Sequence, residues 1–365
     1  MKVILDGLDL ADAVLKVSKA LSLKVNNQIL EGIKLTAKGD SLILFATDTE
    51  LTIERKIDAN VLEEGETVVT GRYFVDFIKK LEKEHIELSQ FEGEQLKIKY
   101  LDSETEMQVF SVNDYPKVNR EIYENYFDIS VNDFKELIDK TVFACASDDT
   151  RPILKGCLFE IEDNLLTAVG LDGYRMAVCK KVVNSNGNIK AIIPSRTLLE
   201  ITRLLEKEEN LKIIIQKNYL MVETLDTTLI SRLIEGEFVK YNQIIPAKFL
   251  SKVTVNREML LNSIERASII VKTDRINIVK LDIKENYINV TSKSEVGNVN
   301  ENVPITLEGK DVLIAFNSKY LLEYLRIIND EFVNIYLNSS IESAVIKGVN
   351  NENDLYLLLP VRING

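Results

Sequence analysis

The side chains that most often carry chemistry are few and scattered in this sequence. Its only histidine, His85, lies among acids in EKEHIEL and is interpreted as a solvated turn residue instead of a general base. Cys145, Cys157 and Cys179 are odd in number and too far apart for a CxxC pair. We therefore expect them to be buried, reduced apolar residues, with a reactive thiol left open as an alternative. One histidine and scattered cysteines also leave too few ligands for a zinc site.

Motifs that bind phosphate or activate a nucleophile are missing from the sequence. It contains no P-loop, no GxGxxG after a strand and no GxSxG elbow. The acid pairs Asp148-Asp149 and Glu162-Asp163 have the oxygen ligands that magnesium prefers, but acid pairs are common in turns. We expect no catalysis, no metal and no cofactor. An enzyme working with acidic residues alone stays open, although the sequence shows no cleft of paired carboxylates.

Length and composition indicate a multidomain globular protein. The chain has 365 residues, which is longer than a chain that folds around a single hydrophobic core usually is. Its composition, 45% apolar and 28% charged, is that of an ordinary globular protein. No apolar run approaches the roughly 20 residues of a membrane helix, and the N-terminal stretch carries acids where a signal peptide carries bases. We expect a cytoplasmic protein with no membrane contact. The net charge of −12 argues against tight binding to nucleic acid through bulk attraction.

A threefold internal repeat organises the chain. Residues 151–178 contain short apolar runs suited to strands, separated by turn signals at Asn164 and Asp172-Gly173. The same pattern occurs 124 residues earlier, where Leu30, Gly32 and Asp48 stand for Leu154, Gly156 and Asp172. A fainter third copy begins at Asn277. Repeats of this kind decide the fold before any single motif does.

Each repeat divides into two strand–helix–three-strand halves. This pattern predicts an α+β fold of three tandem domains with antiparallel sheets. The predicted domains are residues 1–124, 125–248 and 249–365.

The second helix of each repeat carries a polar stripe at positions i, i+4, i+7 and i+11, which would lie on one helix face. The stripes are Arg72, Asp76, Lys79 and Lys83; Arg196, Glu200, Arg203 and Lys207; and Lys319, Glu323, Arg326 and Asp330. Together these positions carry a net +4 in a chain of −12. A solvated outer face explains the stripes, and so does a lining that contacts phosphates without reading bases.

The last predicted strand, residues 355–363, is rich in leucine on both faces. A strand buried between domains would show this pattern, and so would a binding groove. Pro360 cannot donate to a strand ladder, which favours an edge position where a groove could open.

In these residues the chain resembles the bacterial DNA polymerase III β subunits, the sliding clamps. The resemblance covers essentially the full length and rests on ATDTEL, RPILKG, GLDGYRMAV, LIEGEFVKY, FNSKYLLEYL and LPVRI, in that order. It implies a non-catalytic processivity factor of DNA replication: a head-to-tail homodimer closed into a ring, with helices lining the hole and sheets outside. Duplex DNA would pass through the hole without sequence preference. The DNA polymerase III catalytic subunit, the clamp loader, other polymerases and repair proteins would bind through short linear peptides.

The resemblance also implies site residues. A groove for partner peptides would be lined by Leu154, Leu171, Gly173, Tyr174, Arg175, Met176, Ile244, Asn317, Tyr320, Ile341, Ser343, Leu357, Leu359, Pro360, Val361 and Arg362. DNA would face Lys24 and the stripe cations Arg72, Lys79, Lys83, Arg196, Arg203, Lys207, Lys319 and Arg326. The dimer would form between an edge strand at residues 106–112 and the region of Ile269 and Ile270. Met107, Ile269 and Ile270 would be its apolar contacts, and they are equally compatible with core positions in their own domains.

Several positions depart from the family pattern. Tyr174, Val239 and Gln243 replace residues common near the groove, which leaves the peptide preference open. Asp148, Pro152 and Ile153 stand at DNA-contact positions but offer phosphate no favourable group, so Lys24 alone is carried over there. A monomeric repeat scaffold that binds proteins and never meets DNA is the alternative reading of the whole chain.

Overall fold

The computed structural model describes residues 1–22, 27–81, 84–91, 95–117, 125–148, 150–205, 209–271 and 277–362. The first repeat contains β1 (Lys2–Asp6), α1 (Gly7–Val17), β2 (Gly32–Lys38), β3 (Ser41–Thr47), β4 (Leu51–Asp58), β5 (Asn60–Glu63), β6 (Gly65–Thr70), α2 (Gly71–Ile78), β7 (His85–Ser89), β8 (Leu96–Tyr100), β9 (Ser103–Met107) and β10 (Val109–Phe110).

The second and third repeats follow the same order of elements. The second contains β11 (Asn125–Ser130), α3 (Val131–Thr141), β12 (Gly156–Glu162), β13 (Leu165–Leu171), β14 (Arg175–Val182), β15 (Asn184–Ser185), β16 (Ile189–Pro194), α4 (Ser195–Leu204), β17 (Asn210–Ile215), β18 (Tyr219–Glu223) and β19 (Thr227–Arg232). The third contains β20 (Ser251–Asn256), α5 (Arg257–Ile270), β21 (Ile278–Ile283), β22 (Tyr287–Ser294), β23 (Gly297–Glu308), β24 (Val312–Asn317), α6 (Ser318–Ile327), β25 (Phe332–Leu337), β26 (Ala344–Gly348) and β27 (Asp354–Leu358). The strand–helix–three-strand halves are confirmed, with β5, β10 and β15 as short additions.

The chain forms two compact units, each built on antiparallel sheets. Unit 1 comprises Met1–Val131 with Leu199–Leu233, and unit 2 comprises Asn132–Leu198 with Ile234–Gly365. Unit 1 contains a five-stranded sheet of order β5-β1-β7-β8-β9 and a sheet that runs β10-β6-β2-β3-β4-β19-β18-β17-β11. Unit 2 contains a 12-stranded sheet of order β16-β12-β13-β14-β27-β26-β25-β20-β23-β22-β21-β24.

One helix face in every half is buried against a sheet. In unit 2, Leu260 and Ile264 of α5 and Leu321 and Leu325 of α6 join one apolar cluster with the strands around them. In unit 1, α1 and α2 bury leucine, valine, phenylalanine and isoleucine at helical spacing: Leu10, Val14, Phe74 and Ile78. Each such side chain contributes about 1.5–3 kcal/mol through its removal from water.

The turn signals in the sequence have the backbone conformations that they predict. Asp163 and Asn164, between β12 and β13, have φ of 50° and 63°. Two successive positive φ angles define the tight turn whose twist matches a hairpin, and aspartate and asparagine tolerate them.

Two strand pairs join one repeat to the next, and we call each of them a seam. The first seam, in unit 1, pairs β4 with β19 and sets Arg55 opposite Thr227. The second seam, in unit 2, pairs β14 with β27 and sets Cys179 opposite Asp354. Both seams continue a sheet from one repeat into the next, so their backbone groups are hydrogen-bonded as they are inside a repeat.

A charge cluster lies on the helix side of the first seam. Arg55 of β4 donates to Asp226 Oδ1 over 2.9 Å and to Asp12 Oδ2 over 2.8 Å. Lys16, one helical turn after Asp12 in α1, reaches the same Asp12 oxygen over 2.9 Å. Arg55 of the first repeat therefore forms an ion pair with Asp226 of the second repeat.

The second seam has a more deeply buried cluster. Lys140 of α3 donates to Glu136 and to Asp354, and its side chain is 9% exposed while that of Asp354 is 5% exposed. Asn351 donates to the same Asp354 oxygen over 2.5 Å. Burial disfavours the charged form of Lys140, but the hydrogen bonds that it donates to Asp354 and Glu136 outweigh this effect and raise the pKa of the ammonium group. Lys140 therefore stays charged inside the protein.

We expect Lys140→Ala to lower the free energy of unfolding by about 3–5 kcal/mol, because it leaves Asp354 as a buried charge without its cation. The matched control is Lys16→Ala, at the same place in α1. There Asp12 is 45% exposed and keeps Arg55, so we expect a loss of about 1 kcal/mol or less. Urea unfolding of both variants measures the difference, and equal losses would contradict the role assigned to burial.

Candidate functional site

Four residues of the predicted peptide groove form part of one apolar cluster in unit 2. It lies on the sheet face opposite α5 and α6, which we call the outer face. Leu154, Leu171, Met176 and Leu357 pack together there and are each 5% exposed or less. Neighbouring strands bring them together, since β13 pairs with β14 and β14 with β27. These buried side chains would form the apolar floor of the predicted groove.

The chain that follows β27 would form one wall of the predicted groove. Leu359 donates its backbone N–H to the Tyr174 carbonyl over 2.9 Å, and Val361 donates to the Ala315 carbonyl over 2.8 Å. Leu359 is 41% exposed. Its apolar side chain is held beside the floor and remains open to solvent.

The prediction of an edge strand here is wrong. β27 is an internal strand between β14 and β26, and it ends at Leu358, before Pro360. The leucine pattern has a different cause, because Leu357 faces the outer apolar cluster while Leu358 faces the cluster beneath the helices. Of the two interpretations of the sequence, the strand buried between repeats is the observed one.

Arg175, predicted to contact a peptide, is occupied by contacts inside unit 2. Its Nε donates to Asp172 over 3.0 Å, one terminal nitrogen donates to Glu323, and the other donates to the Phe143 carbonyl over 2.6 Å. The guanidinium also lies 4.3 Å from the ring centre of Tyr320. Arg175 thus positions the Tyr320 ring and the Asp172 turn beside the groove.

The turn between β13 and β14 places Tyr174 at the surface. Asp172 Oδ1 accepts from the N–H groups of Tyr174 and Arg175, and Gly173 has φ of 94°, where side chains with a Cβ are strained. Tyr174 is 64% exposed. The turn therefore presents an aromatic ring next to the wall residue Leu359.

The remaining residues predicted to line the groove lie in several different elements. Ile244 follows a short helical turn that contains the cluster residue Tyr241, and Ile341 is exposed in the loop before β26. Ser343 precedes Ala344, which pairs with Leu358. The others are the α6 cap Asn317, the wall residue Pro360 and the exposed Arg362.

The stripe cations that the structure describes are on the surface. Arg72, Lys79, Arg196, Arg203, Lys319 and Arg326 are all exposed. Arg203 pairs with Glu200, Lys319 with Glu323 and Arg326 with Glu265. Lys24, Lys83 and Lys207 lie outside the described residues.

The stripes are shorter than predicted. α2 ends at Ile78, before Lys79, and α6 ends at Ile327, before Asp330. In α6 the N–H of Ile328 bonds back to Tyr324 and the chain then turns into β25, which leaves Asp330 outside the helical face. The three α6 positions that remain, Lys319, Glu323 and Arg326, carry a net +1.

The residues predicted at the dimer interface lie at ends of elements. Ile269 is 68% exposed near the end of α5, and Ile270 is its last residue. Met107 ends β9, the outer strand of the five-stranded sheet. The strand predicted at residues 106–112 is split, because the chain leaves that sheet at Gln108 and continues as β10 in the other sheet.

The described residues show no arrangement typical of an active site. They contain no group of three or more metal-ligating side chains. His85 is exposed, and the three cysteines are buried and unpaired. The hydrogen bond with Cys157, together with burial, keeps the pKa of the Cys145 thiol well above its usual range, and burial raises the pKa of the Cys179 thiol. Among the described helices, none is long and apolar enough to cross a membrane.

Sequence reasoning missed the charge clusters of the seams and the residues that hold Arg175. A signal for the clusters was present, since the acid–lysine pair Asp12 and Lys16 recurs 124 residues later as Glu136 and Lys140.

Solved structures define the class of this protein. The chain is similar to the DNA polymerase sliding clamp of Bacillus subtilis, with a TM-score of 0.95 and 27% identity over 100% of both chains. It is also similar to a Pseudomonas aeruginosa sliding clamp, solved bound to griselimycin, with a TM-score of 0.92, 25% identity and 100% of both chains covered. The fold is that of a sliding clamp, with three clamp domains.

Family models identify the chain more closely. The N-terminal, central and C-terminal domains of the DNA polymerase III beta subunit match residues 1–119, 128–240 and 242–362. The beta sliding clamp of Staphylococcus aureus (strain Mu50 / ATCC 700699) is 30% identical over 358 residues, which cover 94% of each chain. The chain belongs to the DNA polymerase III beta subunit family, the beta sliding clamps, and is a non-catalytic processivity factor of DNA replication.

Proposed function

We propose that the protein works as a head-to-tail homodimer that closes into a ring around duplex DNA in the cytoplasm. Its three clamp domains would divide after residues 124 and 248, and the second helices of the repeats would face the DNA. Retention then depends on enclosure, so attraction to phosphate need only be weak and independent of sequence.

The observation that carries this proposal is the placement of positive charge. The chain has a net charge of −12, yet α2, α4 and α6 expose cations on the faces turned away from their cores. Carboxylates near Arg203, Lys319 and Arg326 reduce the attraction at those positions. Such a surface favours sliding contact with a polyanion over tight binding.

We further propose that the groove of unit 2 binds short linear peptides of the DNA polymerase III catalytic subunit, the clamp loader, other polymerases and repair proteins. An apolar floor, an open Leu359 and a few polar groups suit a peptide with leucine and phenylalanine anchors and a glutamine. Met107, Ile269 and Ile270 would contribute apolar contacts between the two copies.

Mass in solution tests the homodimer. We expect light scattering at micromolar concentration to give twice the chain mass of 41.5 kDa. A mass of one chain under these conditions would contradict the ring and would favour the monomeric scaffold.

A further inference from the structure

An acid, Glu323, interrupts the cations on the exposed face of α6. It follows Lys319 by one helical turn, and its carboxylate lies 3.9 Å from the Lys319 ammonium group. The Lys319 side chain is 65% exposed and that of Glu323 is 29% exposed. Residues four apart on a helix are neighbours, and opposite charges at that spacing attract each other. Glu323 therefore limits what Lys319 can offer to a phosphate, unless another cation takes up its charge.

A second cation reaches Glu323 from the sheet beneath the helix. Arg175 of β14 lies opposite Leu358 of β27, on the sheet face that packs against α5 and α6. Its side chain is 7% exposed, and one terminal nitrogen of its guanidinium donates to the Glu323 carboxylate. This charge-assisted hydrogen bond is shielded from water, whereas the contact with Lys319 is longer and open to screening. Glu323 is therefore bound mainly by Arg175.

Contacts on its other sides fix the direction of the Arg175 guanidinium. Its Nε donates to Asp172 over 3.0 Å, and its other terminal nitrogen donates to the Phe143 carbonyl over 2.6 Å. The guanidinium carbon also lies 4.3 Å from the ring centre of Tyr320. A planar guanidinium can make all these contacts at once, which the single ammonium of a lysine cannot. The nitrogen that meets Glu323 is thus held in place by the rest of the fold.

The first seam shows the same acid without such an arginine. Leu51 begins β4 as Arg175 begins β14, 124 residues later, and it is 2% exposed. Glu200 of α4 stands 123 residues before Glu323. Because a leucine cannot neutralise a carboxylate, Glu200 is paired with a cation of its own stripe, Arg203, over 2.5 Å. Part of the positive charge of that stripe is cancelled in this way.

The counterpart of Arg203 in α6 is not used for this purpose. Arg326, three residues after Glu323, donates to Glu265 of α5 over 2.8 and 3.1 Å. The two seams thus neutralise the same stripe acid in different ways. In α4 a stripe cation does it, and in α6 a buried cation from the sheet does it.

We propose that Arg175 is a positioning residue of the DNA-facing surface, because by binding Glu323 from beneath α6 it leaves Lys319 available to phosphate. The inference rests on the proposal above that α6 faces DNA. Arg175 is buried under the helix and would not touch the DNA itself. Without it, the Glu323 carboxylate would turn to the Lys319 ammonium group, which is already close.

The effect of Lys319→Gln in two backgrounds tests this role. In the otherwise unchanged protein, it should weaken binding of a labelled duplex at low salt about threefold. It should also reduce the slope of log affinity against log salt by about one for each lysine that contacts phosphate. In the Arg175→Met background Lys319 is paired with Glu323, so Lys319→Gln should cost less than about 1.5-fold. Fluorescence anisotropy measures each affinity.

Removal of the carboxylate should restore the contribution of Lys319. When Arg175→Met is combined with Glu323→Gln, Lys319→Gln should again cost about threefold. Damage to the fold from the loss of Arg175 would not be reversed by neutralising Glu323, so this rescue identifies charge as the cause.

Glu323→Gln alone gives a test that leaves Arg175 in place. Arg175 keeps its hydrogen bonds to Asp172 and Phe143 in this variant, so we expect it to fold. Because Arg175 already neutralises Glu323, Lys319→Gln should cost the same in this background as in the unchanged protein, within about 1.5-fold. A distinctly larger cost would show that Glu323 masks Lys319 in spite of Arg175, and would overturn the proposal.

Lys190→Gln is the matched control. Lys190 is 64% exposed and pairs with Glu160 over 2.7 Å, and Glu160 accepts from Tyr241 of the outer cluster. The pair therefore lies on the outer face, and its loss should change duplex affinity less than about 1.5-fold in every background. If Lys319→Gln is as harmless as this control in the unchanged protein, α6 does not face DNA and the proposed function is contradicted. If Lys319→Gln costs equally with and without Arg175, that function stands and the role of Arg175 is wrong.

Discussion

Removal of residues 359–365 should abolish binding of a clamp-binding peptide with glutamine, leucine and phenylalanine anchors, while the mass in solution stays that of a dimer. The truncation removes the groove wall together with the backbone bonds from Leu359 to Tyr174 and from Val361 to Ala315. The apolar floor stays, since Leu154, Leu171, Met176 and Leu357 are buried in their own cluster. Fluorescence anisotropy of a labelled peptide measures the loss.

A point variant separates the groove from general damage. Leu359→Asp introduces a charge at a site that is 41% exposed, and we expect it to weaken peptide binding about 30-fold or more, as loss of a central apolar anchor does. Val182→Asp is the matched control, because Val182 is 80% exposed at the end of β14 in the same unit. It should leave peptide affinity within about twofold. Unchanged affinity after Leu359→Asp would remove the groove assignment.

The order of elements could be predicted from the sequence because the repeat is local information. Turn signals such as Asp163-Asn164 and the helical spacing of Leu10 and Val14 each fix a short segment, and all repeats use the same segments. Agreement between copies then compensates for weak signals in any one of them.

Features that depend on strand partners could not be predicted in the same way. The leucines of β27 were compatible with an edge or an internal strand, and only the pairing with β14 and β26 decides between them. The end of β9 at Met107 likewise depends on where the chain changes sheets. Alternation of side chains does not reveal which strands lie beside a segment.

The residues of the predicted groove show the same difference between local features, which the sequence reveals, and features that depend on distant residues. The apolar character of Leu171, Met176 and Leu357 is visible in the sequence, but they meet only because β13 pairs with β14 and β14 with β27. The role of Arg175 depends on Glu323 and Phe143, which lie 148 and 32 residues away in sequence. Arg175 was predicted from the sequence to contact a ligand, but in the structure its guanidinium donates hydrogen bonds to residues of its own chain.

Release on cutting the DNA is the second large effect that we expect. A ring loaded onto a nicked circular plasmid has no end to slide from, so it should stay bound through gel filtration even at about 0.5 M salt, where phosphate contacts are strongly weakened. The same protein on linear DNA should slide off an end. With Arg203, Lys319 and Arg326 partly neutralised by carboxylates, contact with the helices alone should not retain it.

The most direct measurement is therefore the fraction of protein that stays with a loaded nicked plasmid before and after a single restriction cut. Enclosure predicts stable retention on the uncut circle and nearly complete loss once it is linear. If cutting the circle leaves the bound fraction unchanged, the protein holds DNA by affinity, and the account of a closed ring is wrong.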